Sequence, residues 1–231
     1  MIKRKRLGQH FLISQSVAKK IVDSAGITKK DTVLEIGTGK GILVPLLCEK
    51  AGKVISIESD DILYDTAKEK FSGIPNLELV HGDGFKTEEK FSIFVSNLPY
   101  SKSRDAMEWL IQKNYSHAVV MVQKEFSEKI AEKNSKAVSV LVNHAANIEK
   151  IMNVSANNFS PPPKVDSVVL RLTQKNTISK ELIQVVNKLF SYKRKKIQNI
   201  AKQFGKVIGS DKRLEELSGD EIISLAKQIL K

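Results

Sequence analysis

The stretch Val33-Leu34-Glu35-Ile36-Gly37-Thr38-Gly39-Lys40-Gly41-Ile42-Leu43 decides how the rest of the chain reads. It opens as a short apolar strand and runs into a helical pattern, with three alternate glycines between. Glycine at such a turn permits a tight bend and lets a ligand approach the backbone closely. A sharp strand-to-helix turn with no ligand would use the same residues. Spacing excludes two ligand classes. Dinucleotide sites use G-x-G-x-x-G, whereas here the third glycine comes one residue early and Ile42 fills the later slot. A Walker loop needs Gly-Lys-Ser/Thr, and Lys40-Gly41-Ile42 does not supply it.

Outward from this turn, β-branched apolar runs recur at 32–36, 53–58, 77–81, 91–96 and 118–122. Helical patterns at 42–50, 61–71 and 103–113 alternate with them, and one at 16–25 precedes them. This order predicts a doubly wound, mostly parallel sheet of the Rossmann-like α/β class. Helices from about Glu125 and near 138–145 follow. Runs at 148–154 and 167–172 then close the sheet as a strand pair, giving seven strands. Beyond Gln174 the pattern is helical, at 180–190, 193–204 and 220–230. The expected organisation is a ligand-binding domain over 1–174 and a small helical domain over 175–231.

Hydrophobic residues make up 41% of the 231, which suits a folded globular chain. No apolar run approaches the roughly 20 residues of a membrane span, and the basic start Met1–Arg6 lacks a signal-like apolar region. The single cysteine, Cys48, excludes an internal disulfide or a cysteine-rich zinc site and reads as a buried thiol. The cytoplasm is the expected compartment, and a monomer without a metal the expected form. The net charge is +12, and from Lys175 onward thirteen Lys/Arg face six Asp/Glu. Such a surplus is either a solvated lysine-rich surface or a nucleic-acid footprint.

G-x-G-x-G is the turn used by S-adenosylmethionine-dependent methyltransferases, and two acids fall where that ligand needs them. Glu58 ends the second strand, where its oxygens can accept from ribose hydroxyls. Asp83 follows the third strand, placed to accept from an adenine amine. Either alone reads equally well as a helix cap or solvated turn residue. Together with Gly37, Gly39 and Gly41 they lie on successive strand ends of one sheet edge, where open α/β sheets bind ligands.

Asn97-Leu98-Pro99-Tyr100 leaves the fourth strand on the same edge. The lone pair of adenine N6 is delocalised into the ring. Acceptors on both of its N–H groups would localise that pair toward a methyl donor. The Asn97 side chain with the Leu98 or Pro99 carbonyl can supply them, with Tyr100 stacked on the base. Asn97 borders cofactor and acceptor alike. A plain turn leaving a strand is the alternative. No histidine adjoins this tetrapeptide in sequence, and the transfer needs little general-base help.

With these residues in place, the chain resembles the ribosomal RNA adenine N6,N6-dimethyltransferases of the KsgA type. The resemblance runs from LGQHFL (7–12) through EIGTGKG, IES, GDG, NLPY and MVQKEF (121–126) to NFSPPPKVDSVV (158–169). It implies that Gln9, His10 and Leu12 border S-adenosylmethionine, a role the residues alone do not suggest. It also implies that Phe159 packs on a flipped adenine opposite Tyr100; a core anchor for the proline loop is the other reading. Lys193, Arg194, Lys195 and Lys196 resemble the family's basic RNA-gripping helix. The implied substrate is two adjacent adenosines in the 3′-terminal hairpin loop of small-subunit rRNA, within a pre-small-subunit particle. S-adenosylhomocysteine is the implied product and ribosome biogenesis the implied role.

The family usually continues the tetrapeptide as x-Ile-Ser-Ser, whereas this chain has Ser101-Lys102-Ser103-Arg104. Two other readings compete: a large-subunit adenine methyltransferase of the antibiotic-resistance type, and a ribosome-assembly factor that keeps the fold without catalysis.

Overall fold

The computed structural model describes residues 10–231. Gln9 lies outside the described residues. The chain divides into two compact units, one of residues up to Ser103 with Tyr115–Lys124 and Glu149–Leu172, the other of Arg104–Asn114, Glu125–Ile148 and Thr173–Lys231.

The strands of the first unit are β1 (Phe11–Leu12), β2 (Thr32–Ile36), β3 (Lys53–Glu58), β4 (Leu77–His81), β5 (Ile93–Asn97), β6 (His117–Gln123), β7 (Ala146–Val154), β8 (Phe159–Ser160) and β9 (Ser167–Gln174), the ends of β7 and β9 running into the second unit. Seven of them form one sheet in the order β4-β3-β2-β5-β6-β9-β7. The pairs β2–β3, β3–β4, β2–β5 and β5–β6 are parallel. Winding runs outward from β2 to β4, then reverses through β5 and β6. The switch point therefore lies between β2 and β5, where a crevice opens beyond the strand ends. β5 begins at Ile93, two residues later than the periodicity predicts.

Central strands are mostly apolar because both faces are covered. Leu34, Ile55, Phe94 and Val95 are all buried. Helix α1 (Gln15–Ser24) starts where the Ser14 hydroxyl accepts the Val17 N–H, and α3 (Asp61–Lys70) where Asp60 accepts from Ile62 and Leu63. Between them, α2 (Val44–Lys50) carries proline in its first turn, so Ile42 and Leu43 stay in the loop.

The second unit holds α4 (Ser103–Leu110), α5 (Lys124–Ala131), α6 (Ala137–Ala145), α7 (Lys180–Ser191), α8 (Ile197–Lys202) and α9 (Gly219–Leu230). Helices α6, α7 and α9 pack on one another. Ser218 and Glu221 form a reciprocal capping box at the start of α9. The helix predicted over 193–204 is cut to Ile197–Lys202. Four adjacent cations disfavour a helical turn. Lys196 instead takes an extended conformation (φ −64°, ψ 143°) and pairs with Asp211 at 2.8 Å.

Candidate active site

Gly37, Gly39 and Gly41 take φ of 85°, 56° and 71°, which other residues rarely adopt. Gly41 has a second reason to lack a side chain: a Cβ there would stand 2.3 Å from the Phe71 ring. Gly41→Ala combines left-handed strain with a core clash. It is expected to cost about 3 kcal/mol and lower Tm by roughly 10 °C. Calorimetric melting of the two proteins checks this.

Glu58 organises that loop. Its Oε2 accepts the Gly39 N–H at 2.8 Å, and its Oε1 accepts the Ser59 and Asp60 N–H groups at 2.9 Å each. Three of the four lone pairs of the carboxylate are thus occupied, and one remains for a ligand. Asp83 likewise divides its work. Its Oδ1 caps the Phe85 N–H at 3.1 Å, while its residue borders the same cavity.

β5 delivers the acceptor segment next to this loop, because β2 and β5 are neighbours. Ser96 donates to the Ile36 carbonyl at 2.6 Å and locks the two strand ends together. Leu98 is buried beneath the turn. The Pro99 carbonyl accepts the Lys102 N–H at 2.8 Å. The Tyr100 hydroxyl lies 2.6 Å from Ser167 Oγ, which fixes the ring, and burial pushes the phenol's pKa up.

A cavity of about 390 Å³ joins these parts, within the usual range for small-molecule sites. Of the predicted site residues it takes in His10, Leu12, Gly37, Gly39, Glu58, Asp83 and the whole segment Asn97–Tyr100. Gly41 shapes the turn without lining it. Phe159 does not line it either. It is 2% exposed, pairs across to Leu12 and belongs to the apolar core. The anchor reading, not the base-packing one, matches this placement. The aromatic ring that meets Tyr100 is His10, stacked at 5.8 Å between centroids and 29° between planes. The acceptor loop therefore has a histidine beside it, brought from far away in sequence. His10 Nδ1–H donates to the Pro161 carbonyl at 2.8 Å, and β1 pairs with β8 beside that contact.

Sequence reasoning also passed over Glu35, Thr38 and Lys102, which border the cavity. An acid inside the apolar run of β2 is the signal for Glu35. It is 1% exposed, and burial, reinforced by the nearby Glu58 charge, pushes its pKa up to about 8. Ser56 Oγ lies 2.5 Å from Glu35 Oε2, and Thr38 Oγ1 lies 2.6 Å from Ser56 Oγ. Of the two cations that depart from the family pattern, Lys102 borders the cavity. Arg104 is engaged by Glu108 and Asn187 in the helical unit, each at 2.9 Å. The basic run 193–196 lies in the turn between α7 and α8 of that unit.

The family described as ribosomal RNA adenine dimethylase matches residues 2–230 of the chain. "Ribosomal RNA small subunit methyltransferase A" of Thermotoga petrophila is 36% identical over 231 residues, covering 95% of this chain and 89% of that protein. The "Probable ribosomal RNA small subunit methyltransferase A" of Thermococcus gammatolerans is 37% identical over 216 residues, covering 90% and 77%. Among solved structures, a dimethyladenosine transferase from Plasmodium falciparum superposes with a TM-score of 0.79 at 29% identity, covering 94% of this chain and 96% of that one. The 23S rRNA methyltransferase ErmE superposes at 0.71 over 96% of this chain and 100% of its own, and at 23% identity it shares the fold alone. The chain belongs to the ribosomal RNA adenine dimethylase family: it is an rRNA adenine methyltransferase on a class I, S-adenosylmethionine-using scaffold.

Proposed function

We propose that this protein dimethylates N6 of two adjacent adenosines in the 3′-terminal hairpin loop of small-subunit rRNA, acting as a cytoplasmic monomer on a pre-small-subunit particle. One observation carries the reading. The Asn97–Tyr100 segment and the glycine loop with Glu58 open into a single cavity across the β2/β5 switch point.

The residues present fit S-adenosylmethionine. The remaining Glu58 lone pair suits a ribose hydroxyl, and Asp83 an adenine amine. Gly39 brings bare backbone to the wall, its missing Cβ lying 3.4 Å from the Phe11 ring. When bound, S-adenosylmethionine supplies an electrophilic methyl on a sulfonium.

The chain's own part is to position the other reactant. Asn97 Oδ1 accepts one N6–H of the target adenine. The Pro99 carbonyl is already engaged by Lys102, so we assign the second N6–H to the Leu98 carbonyl. Both acceptors hold the amine with its lone pair facing the methyl, which lowers the entropic part of the barrier. Tyr100, pinned by Ser167, offers a flat face to a base that has left its stack. His10, which the resemblance places beside the cofactor, stacks on Tyr100 at the cavity wall. The amine sheds its proton to solvent after transfer.

We assign RNA contact to the basic turn of the helical segment 175–231. Phosphate contacts of this kind position the substrate, while RNA shape and the extruded base select it. Replacing Lys193, Arg194 and Lys195 with alanine is expected to reduce the slope of log affinity against log salt by about 2. Lys196 is left in place because it anchors Asp211. Filter binding at several salt concentrations reads the slope, and an unchanged value would move the footprint elsewhere.

The decisive experiment offers labelled S-adenosylmethionine together with unmethylated 30S particles, naked small-subunit rRNA or 50S subunits, and maps the modified bases. Label as dimethyladenosine at two adjacent positions of the small-subunit hairpin is expected. No labelled adenine anywhere would overturn the enzymatic reading, and label confined to 50S would support the large-subunit one.

A further inference from the structure

Glu35, Ser56 and Thr38 form a chain of three oxygens whose two ends, Glu35 and Thr38, both border the cavity, with gaps of 2.5 and 2.6 Å. Glu35 and Ser56 are 1% and 0% exposed, so solvent does not complete the chain. Proton counting defines its two states. With Glu35 ionised, two hydroxyl protons fill the two links: Thr38 donates to Ser56, Ser56 donates to Glu35, and Thr38 has lone pairs to offer the cavity. With Glu35 neutral there are three protons for two links. Glu35 then donates to Ser56, Ser56 to Thr38, and the Thr38 proton is left over for the cavity side.

Burial favours the neutral state of Glu35, against the Ser56 hydroxyl, whose hydrogen bond lowers its pKa. The nearby Glu58 charge adds to the effect of burial. Cys48, on α2, is a buried thiol pushed up to about 11 partly by Glu35 itself. Lys29 acts on Cys48 and spends its ammonium on the Cys48 and Ala51 carbonyls, while Lys40 borders the cavity and lies over the Phe11 ring. We propose that Glu35 is a proton-holding positioning residue whose charge sets the polarity of the Thr38 hydroxyl in the glycine loop, and that it releases its proton when a cationic cofactor binds. This rests on the assignment of the cavity to S-adenosylmethionine, whose sulfonium and ammonium are the cations that would draw the proton off. The proton leaves to buffer, Glu35 becomes a carboxylate facing those cations, and both hydrogen-bond links reverse.

Two measurements test it without turnover. Calorimetry of S-adenosylmethionine binding, with no RNA present, in buffers of different ionisation enthalpy counts released protons. Wild type at pH 7 is expected to release close to one proton per site, with affinity rising toward about tenfold per pH unit between pH 6 and 8. Glu35→Gln, which keeps an N–H donor toward Ser56, is expected to bind with no proton release and a flat profile. Infrared titration of the protein alone is expected to show a protonated carboxyl that disappears with a midpoint near the 8 expected for Glu35 and is missing in Glu35→Gln. Binding by wild type without proton release, or a carboxyl already ionised at pH 6, would overturn the proposal. Failure of both proteins to bind S-adenosylmethionine would instead overturn the cofactor reading and the linkage with it. The infrared result judges the proton on Glu35 independently.

Discussion

Asn97→Ala is expected to slow methyl transfer by about 10³-fold while leaving S-adenosylhomocysteine affinity within about threefold of wild type. The side chain sits at the tip of β5, half-buried, whereas the parts that shape the loop around it are separate. Ser96 locks the strand end to β2, Leu98 anchors the turn in the core, and Ser167 holds Tyr100. Alanine removes an acceptor for N6–H and leaves those three contacts intact. The loss should therefore appear in the chemical step, read by single-turnover transfer, and not in cofactor calorimetry. An affinity that fell as far as the rate would place Asn97 on the cofactor side.

Glu58→Ala should act the opposite way. Its carboxylate is 5% exposed and is the acceptor for three backbone N–H groups, those of Gly39, Ser59 and Asp60. Truncation leaves these donors unpaired at the turn that the glycines bend. A stability loss of about 2–4 kcal/mol is expected, lowering Tm by roughly 10 °C, with cofactor affinity down by about 100-fold or more. Glu58→Gln keeps one acceptor oxygen but turns an amide donor toward backbone donors, so it should restore little. Thermal melting and calorimetry on the same preparations separate the two effects. Lost affinity with unchanged Tm would mean that the loop stands without Glu58.

Stability should also carry the mark of Glu35. Between its ordinary 4.5 and the raised value of about 8, the unfolded chain has lost this proton while the folded chain keeps it. Unfolding then releases a proton, so the stabilising contribution is complete below pH 4.5 and is lost as pH rises through about 8. Glu35→Gln should flatten that decline, as read from Tm against pH.

The sheet and most of its edge were legible because they rest on local signals. Gly37, Gly39 and Gly41 mark a turn that only glycine makes comfortably, and β-branched runs mark strands covered on both faces. Glu58 and Asn97 end such runs and Asp83 follows one closely, so their convergence follows from the winding. Partnerships between distant segments carried no such signal. Two-residue strands have no periodicity to read, which hid the pairing of β1 with β8 and hence the meeting of His10 with Tyr100. Phe159 looked available because a motif cannot tell a ring that faces a ligand from one that fills the core. The helix expected over 193–204 failed in its first turn, where charge repulsion outweighed the helical propensity of lysine and arginine.

The pairing of β1 with β8 also bears on the order in which the protein is made. His10 and the Pro161 carbonyl that holds it are 151 residues apart. A chain leaving the ribosome amino end first presents His10, Phe11 and Leu12 early, without the strand that positions them. The glycine loop and the Asn97 turn can both be in place while this wall is still missing. Only when residue 161 has cleared the exit tunnel can the cavity close, so a nascent chain stalled before that point lacks a complete pocket. The wall that carries His10 is therefore among the last parts of the pocket to find its partner.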